Sequence, residues 1–318
     1  MFDTTQRPVP LRLLPYLLLA AILALAAALR LAHLGAVAFT FDAAALSNLA
    51  AQWIDQGRLP LQGMVSSTGF RNPALGVYLM SLPVAFSRDP LLLTGFVIAL
   101  NLLAVLGTFW LGRRYWGMAA GLLASLLFAL SPWAVQHARG VLGQDLLAPG
   151  VVLLMICAMA WFVDGRRWML AAALVTLAAL IQVHLAAIAL TPLLAVLVAW
   201  ELIVQRRRGA PARLWQPLLV GLALAALLYL PYLAADAQQG WSNVRGFLTQ
   251  GSGAGGLQPQ VFDLALINIG GRNIHALAGP LRYREFLAGL PAPGYWLDRL
   301  EELLTAAAAL FLGFRLLR

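Results

Sequence analysis

The stretch LLLTGFVIALNLLAVLGTFWLG, residues 91–112, holds no charged side chain and runs directly into Arg113-Arg114. An α-helix needs about 20 consecutive apolar residues to cross the hydrocarbon core of a bilayer. Short cytoplasmic loops carry an excess of Lys and Arg, so the arginine pair marks the cytoplasmic end of such a helix. Comparable runs lie at 12–32, 117–135, 146–164, 168–182, 185–204 and 215–234, and an eighth begins near 302 and reaches the C-terminus. The pattern predicts an all-α fold, a polytopic transmembrane helical bundle.

Composition agrees. Only 11% of the 318 residues are charged, against roughly 25% in a soluble domain, and the mean hydropathy is +0.80. A formal charge of +9 would point to nucleic acid in a soluble protein. Here the basic residues form short clusters between apolar runs: Arg113-Arg114, Arg166-Arg167, and Arg206 to Arg208 with Arg213. No basic segment is interleaved with aromatics on a soluble face, so nucleic acid is excluded as a partner and membrane lipids are expected. The single cysteine, Cys157, sits inside an apolar run and reads as a small buried side chain. The N-terminal apolar run is longer than a signal-peptide core and reads as a first helix that stays in place.

With Arg7 and Arg12 inside, helix by helix, 33–90 becomes external, Arg113-Arg114 internal, 136–145 external, Asp164–Arg167 internal, the turn at 182–185 external, 205–213 internal and 235–300 external. Every strong arginine cluster then falls on the cytoplasmic side. The reading holds only if 73–90 adds no unpaired crossing; the apolar stretch 73–86 is short for a span and reads as a re-entrant or interfacial helix or as a short helix continuing into the next span. Residues 1–235 form the expected core, with external loop 33–90. Residues 236–300 form an external loop or lid containing GSGAGG (251–256), with a weakly helical 259–279. Residues 301–318 form a last helix barely long enough to span, read either as a short end or as a fragment. Within loop 33–90, DAAALSNLAAQWIDQG (42–57) has a helical pattern that stops at Gly57. Its apolar positions Ala45, Leu49, Trp53 and Ile54 suit a helix lying on the membrane.

Ionisable groups at the outer rim go against the positive-inside tendency and so invite a functional reading. Three segments carry them: FTFDAAALSNLA with Asp42; TGFRNPALGVYLMSLP with Arg71; and SPWAVQHARGVLGQD with His137, Arg139 and Asp145. A carboxylate can serve as a general base on an acceptor. Arginines can hold a phosphate leaving group by charge-assisted hydrogen bonds. Each group also has a structural alternative. Asp42 would be a helix N-cap, Arg71 a lipid contact, Arg139 and Asp145 a loop ion pair, His137 an exposed loop residue, and His184 a histidine satisfied by turn backbone. Arg30 would snorkel to the interface, and Trp133 would be a belt residue.

The order of these segments resembles glycosyltransferase family 39 with the C-type membrane fold, the group of the protein O-mannosyltransferases and the aminoarabinose transferase of lipid A. The resemblance rests on Asp42 soon after the first span, where the family usually has Asp-Glu and this chain has Asp42-Ala43. It continues in Arg71-Asn72-Pro73-Ala74-Leu75 with Tyr78; in Ser131-Pro132, Arg139 and Asp145; and in Gln182-Val183-His184 followed by Pro192. It covers residues 30–235. It implies C-type glycosyltransferase topology with external juxtamembrane helices. The implied reaction is inverting transfer from a polyprenyl-phosphate-linked sugar donor to a glycan, lipid or protein acceptor at the outer face of the cell membrane. It implies Asp42 as base, Asp145 as an orienting or acceptor-contacting acid, and Arg71 and Arg139 on the phosphate, with His137 and Gln182 in the binding pocket. His184 would line the pocket or bind a divalent metal ion, the one cofactor the resemblance leaves open. Arg272, His275, Arg282 and Arg284 are further candidates for a phosphate site. The alternatives are a catalytically degenerate scaffold of the same fold, or a lipid or sugar transporter.

Overall fold

The run at 91–112 lies in helix α4, Pro90–Trp116, of a computed structural model that describes residues 9–36, 39–66, 69–207, 214–251, 303–308 and 310–311. Asp89 starts α4: its carboxylate accepts the Leu91 N–H at 2.9 Å, and Pro90 occupies the first turn, where its missing N–H costs nothing. Gly117, at φ 97°, reverses the chain into α5, Met118–Leu130. The two helices meet almost backbone to backbone. A Cβ on Gly121 would stand 2.6 Å from the Phe109 carbonyl oxygen and 2.8 Å from the Arg113 nitrogen. Such small-residue contacts are how helices pack where lipid removes the hydrophobic drive.

The remaining long helices are α1 (Val9–Leu31), α7 (Leu147–Phe162), α8 (Met169–Val183), α9 (Thr191–Arg207) and α10 (Trp215–Gln238). Among the described residues, five stretches are long and apolar enough to cross a membrane: Leu13–Leu31, Pro90–Trp116, Gly143–Phe162, Leu185–Arg207 and Trp215–Gln238. Leu193, Val196, Leu219 and Leu227 are exposed on them, as lipid-facing side chains should be. The chain is a multi-pass membrane protein built as a helical bundle. At one end, Arg114 pairs with Asp164 at 3.2 Å and Tyr115 donates to the same carboxylate at 3.2 Å.

The opposite end departs from the expected spans. The run 117–135 does not continue as one helix. Ser131 leaves helical geometry at ψ 120°, as the residue before a proline tends to, and Pro132 opens a separate short helix, α6 (Pro132–His137). Helices α5 and α8 have 13 and 15 residues, which is about 20 and 22 Å of rise against about 30 Å of hydrocarbon. Both stop short at this end. The turn expected near 182–185 is present: His184 is extended, and a 3-10 turn, Leu185–Leu190, leads into α9.

Breaking α5 at proline strands carbonyls, and Arg30 takes them. Its guanidinium is fully buried and donates to Ala26 and Ala129 at 3.2 and 3.1 Å and to Phe128 at 3.5 Å. The expected snorkelling of Arg30 is therefore wrong. Pro132 has no N–H to offer Phe128, and a helix end away from water must find another donor.

Loop 33–90 holds α2 (Phe41–Gln56), a two-stranded antiparallel hairpin of β1 (Gln62–Val65) and β2 (Arg71–Pro73), and α3 (Leu75–Val84). The hairpin is a small exception to the all-α expectation. Helix α3 has 10 residues, far too few to cross. Thr40, not Asp42, caps α2, accepting the Ala43 N–H at 3.3 Å. The apolar face expected on the membrane is not the one α2 buries. Ala43, Leu46, Ala50 and Ala51 pack instead with Val77 and Met80 of α3, because small side chains let the two helices close together. Buried Asp236, near the end of α10, accepts the N–H groups of Asn243 and Val244 at 2.8 and 3.0 Å and so starts α11 (Ser242–Gly251).

The weakly helical 259–279, the rest of GSGAGG after Gly251, and Arg272, His275, Arg282 and Arg284 lie outside the described residues. Of the expected last helix, 303–308 and 310–311 are helical.

Alanine normally improves an open helical position over glycine by about 1 kcal/mol. At Gly121 the close approach reverses the sign: Gly121→Ala is expected to cost about 1–3 kcal/mol through overpacking. Thermal unfolding of the detergent-solubilised protein checks it, and a raised midpoint would contradict the α4–α5 contact.

Candidate functional site

At the end where α5 and α8 stop short, the Ser131 hydroxyl accepts the Ala134 N–H at 3.4 Å and starts α6. Trp133 and His137 are then four residues apart on one helix face. Their rings stack, with centroids 5.4 Å apart and planes 14° apart. His137 Nδ1 lies 2.9 Å from Asp145 Oδ1, while Asp145 Oδ2 accepts the Leu142 N–H at 2.8 Å. The Asp145 side chain is 6% exposed and that of His137 36%, so a buried carboxylate backs a half-open imidazole. Gly140 is required for this: a Cβ there would run into the Asp145 carboxylate. Asn101 of α4 donates to the Asp145 carbonyl at 3.4 Å and ties the 3-10 turn Gly143–Leu146 to the bundle.

Trp133, His137, Gly140, Leu142 and Asp145 line a cavity of about 350 Å³, together with Arg139, Thr40 and Ala43. The Arg139 guanidinium donates through Nη2 to the carbonyls of Ala32 and His33, at 2.6 and 3.1 Å, and so caps the end of α1. The expected Arg139–Asp145 ion pair does not form, because Asp145 is taken by His137. Two donors in this wall, Arg139 Nε and Trp133 Nε1, are buried without a protein partner among the described residues. The belt reading of Trp133 was therefore incomplete. The signal that could have found it is its four-residue spacing from His137.

Asp42 and Arg71 come together elsewhere. Both line a second, more open depression of about 300 Å³ with Phe41, Asn48, Gln52 and Met64. The first turn of α2 is the wall between the two sites. Thr40 and Ala43 face the cavity, and Phe41 and Asp42 face the open depression. Arg71 is positioned through its backbone, whose N–H donates to Asn243 of α11 at 2.9 Å.

Gln182 is buried and donates to the Leu228 carbonyl of α10 at 2.8 Å, near the helix disturbance at Pro231. His184 Nδ1 accepts the Ala186 N–H at 3.3 Å, which is the turn-backbone alternative. Burial pushes the His184 imidazole below its ordinary range; the Asp145 charge opposes this and the nearby His137 adds to it. Among the described residues, no three His, Cys, Asp or Glu side chains group closely enough to hold a metal ion.

No protein-family model matches the chain, nor does any curated protein or any solved structure.

The His184 shift has a checkable sign. The unfolded chain takes up a proton near the ordinary value of 6.5, and the folded chain does so only at lower pH. Stability is therefore lost as pH falls below 6.5, and the loss is complete once pH passes the folded value. Unfolding midpoints measured between about pH 7.5 and 5.5 should fall more for the wild type than for His184→Gln. Parallel curves would show that His184 is not held neutral.

Proposed function

We propose that the chain is a membrane glycosyltransferase that moves a sugar from a polyprenyl-phosphate donor to a glycan, lipid or protein acceptor, with inversion, at the outer face of the cell membrane. One observation carries this reading. A single cavity at the recessed end of the bundle brings the His137–Asp145 pair together with Arg139 and Trp133. A guanidinium and an indole N–H are both donors to phosphate oxygens. A lipid phosphate has such oxygens, and a cavity at the ends of the short helices α5 and α8 suits a headgroup whose prenyl chain stays among the helices.

In this reading the donor phosphate is bound from the Arg139 side, which stabilises the charge that grows on it as the glycosidic bond breaks. The open depression holding Asp42 and Arg71 is the approach for the acceptor. The ordered resemblance to glycosyltransferase family 39 supports the same assignment. At Ala43 the chain has a small residue facing the cavity where that family has an acid, and Asp145 supplies a carboxylate to that space from the other wall.

Ala43 also favours a second reading, a non-catalytic relative of the same fold that binds a donor without turning it over. An assay in membranes with a panel of polyprenyl-phosphate sugars separates the two. The wild type is expected to transfer sugar from at least one donor, Asp145→Asn to lose on the order of 100-fold in turnover, and Asp42→Asn to lose only a few-fold through weakened acceptor binding. Donor binding without transfer would favour the second reading, and neither binding nor transfer would overturn both.

A further inference from the structure

The cavity contains two groups able to take a proton, and their bonding tells them apart. Both Asp145 oxygens are engaged, one by the Leu142 N–H at 2.8 Å and the other by His137 Nδ1 at 2.9 Å. A carboxylate only accepts hydrogen bonds, so His137 Nδ1 carries the proton in this pair. The neutral ring then has its lone pair on Nε2. That atom has no protein partner among the described residues, and the side chain is 36% exposed and lines the cavity. Stacking on Trp133 fixes the ring plane. Position, tautomer and orientation are thus all set from one side, leaving Nε2 open.

We infer that His137 Nε2 is the group that takes the acceptor's proton, with Asp145 as a positioning residue behind it. The inference rests on the transferase reading and names its base. In the step, an acceptor O–H gives its proton to Nε2 while its oxygen forms the new bond to the anomeric carbon. The bond from that carbon to the phosphate oxygen breaks, and its electron pair leaves on the polyprenyl phosphate. The imidazolium that forms faces the Asp145 carboxylate, which stabilises it, and later returns the proton to solvent. Asp42 lines the other space, across the α2 wall with Arg71.

The test uses the full chain in membranes, with the donor found active in the panel. His137→Ala is expected to lower turnover by on the order of 10² to 10⁴-fold, to leave the donor KM within a few-fold, and to regain part of its turnover when imidazole is added. Asp145→Asn is expected to lose turnover without imidazole rescue. Nitrogen-15 spectra of the histidine-labelled wild type read the geometry directly, whatever the variants' folding. A neutral His137 protonated on Nδ1 supports the inference, and one protonated on Nε2 overturns it. Turnover of His137→Ala within about threefold of wild type would overturn the inference and leave the transferase reading standing. No transfer by the wild type from any donor would remove both.

Discussion

A helix that ends away from water must find partners for its last carbonyls, and this requirement organises the whole bundle. Helix α5 breaks at Ser131-Pro132, and Arg30 supplies the donors that Pro132 cannot. Helix α1 ends at Leu31, and Arg139 reaches across to the Ala32 and His33 carbonyls. Gln182 and Asn101 tie their helices to other elements, donating to the Leu228 carbonyl within α10 and to the Asp145 carbonyl. Other polar side chains, Thr94, Thr108, Ser125 and Thr176 among them, donate to carbonyls three or four residues earlier in their own helices.

That pattern changes the reading of the rim residues. Arginine and glutamine near an outer surface look like ligands for a phosphate, and chemically they are suitable. Arg139 is already half committed to carbonyls through Nη2, and its Nε is buried without a protein partner among the described residues. Gln182 is committed to α10. The groups left open are those whose own partners hold them from behind, above all His137. A buried carboxylate without such a partner would be costly, so the bond between Asp145 and His137 both stabilises the loop and prepares the imidazole.

The α2 helix sets what reaches what. Its first turn separates the cavity from the open depression, so adjacent residues 42 and 43 face different spaces. Asp42 with Arg71 lies on one side, and Ala43 with His137, Arg139 and Asp145 on the other. In the proposed transferase reading, an acceptor entering past Asp42 meets the donor across this turn.

The sequence by itself determined the membrane class, the positions of most helices, the stop at Gly57 and the turn at His184. These follow from local quantities: apolar run length, arginine clusters, and the conformational preferences of proline and glycine. It also placed His137, Arg139 and Asp145 in one short loop, which local spacing suffices to show. Only the tertiary structure decided that Asp145 bonds His137 rather than Arg139, that Arg30 is buried, that α2 buries Ala43 and Leu46 on α3, and that Asp42 lies apart from Asp145. Partner choice of this kind depends on which carbonyls are stranded and which backbones approach closely, as at Gly140. Those are properties of packed helices, and no pattern along the chain encodes them directly.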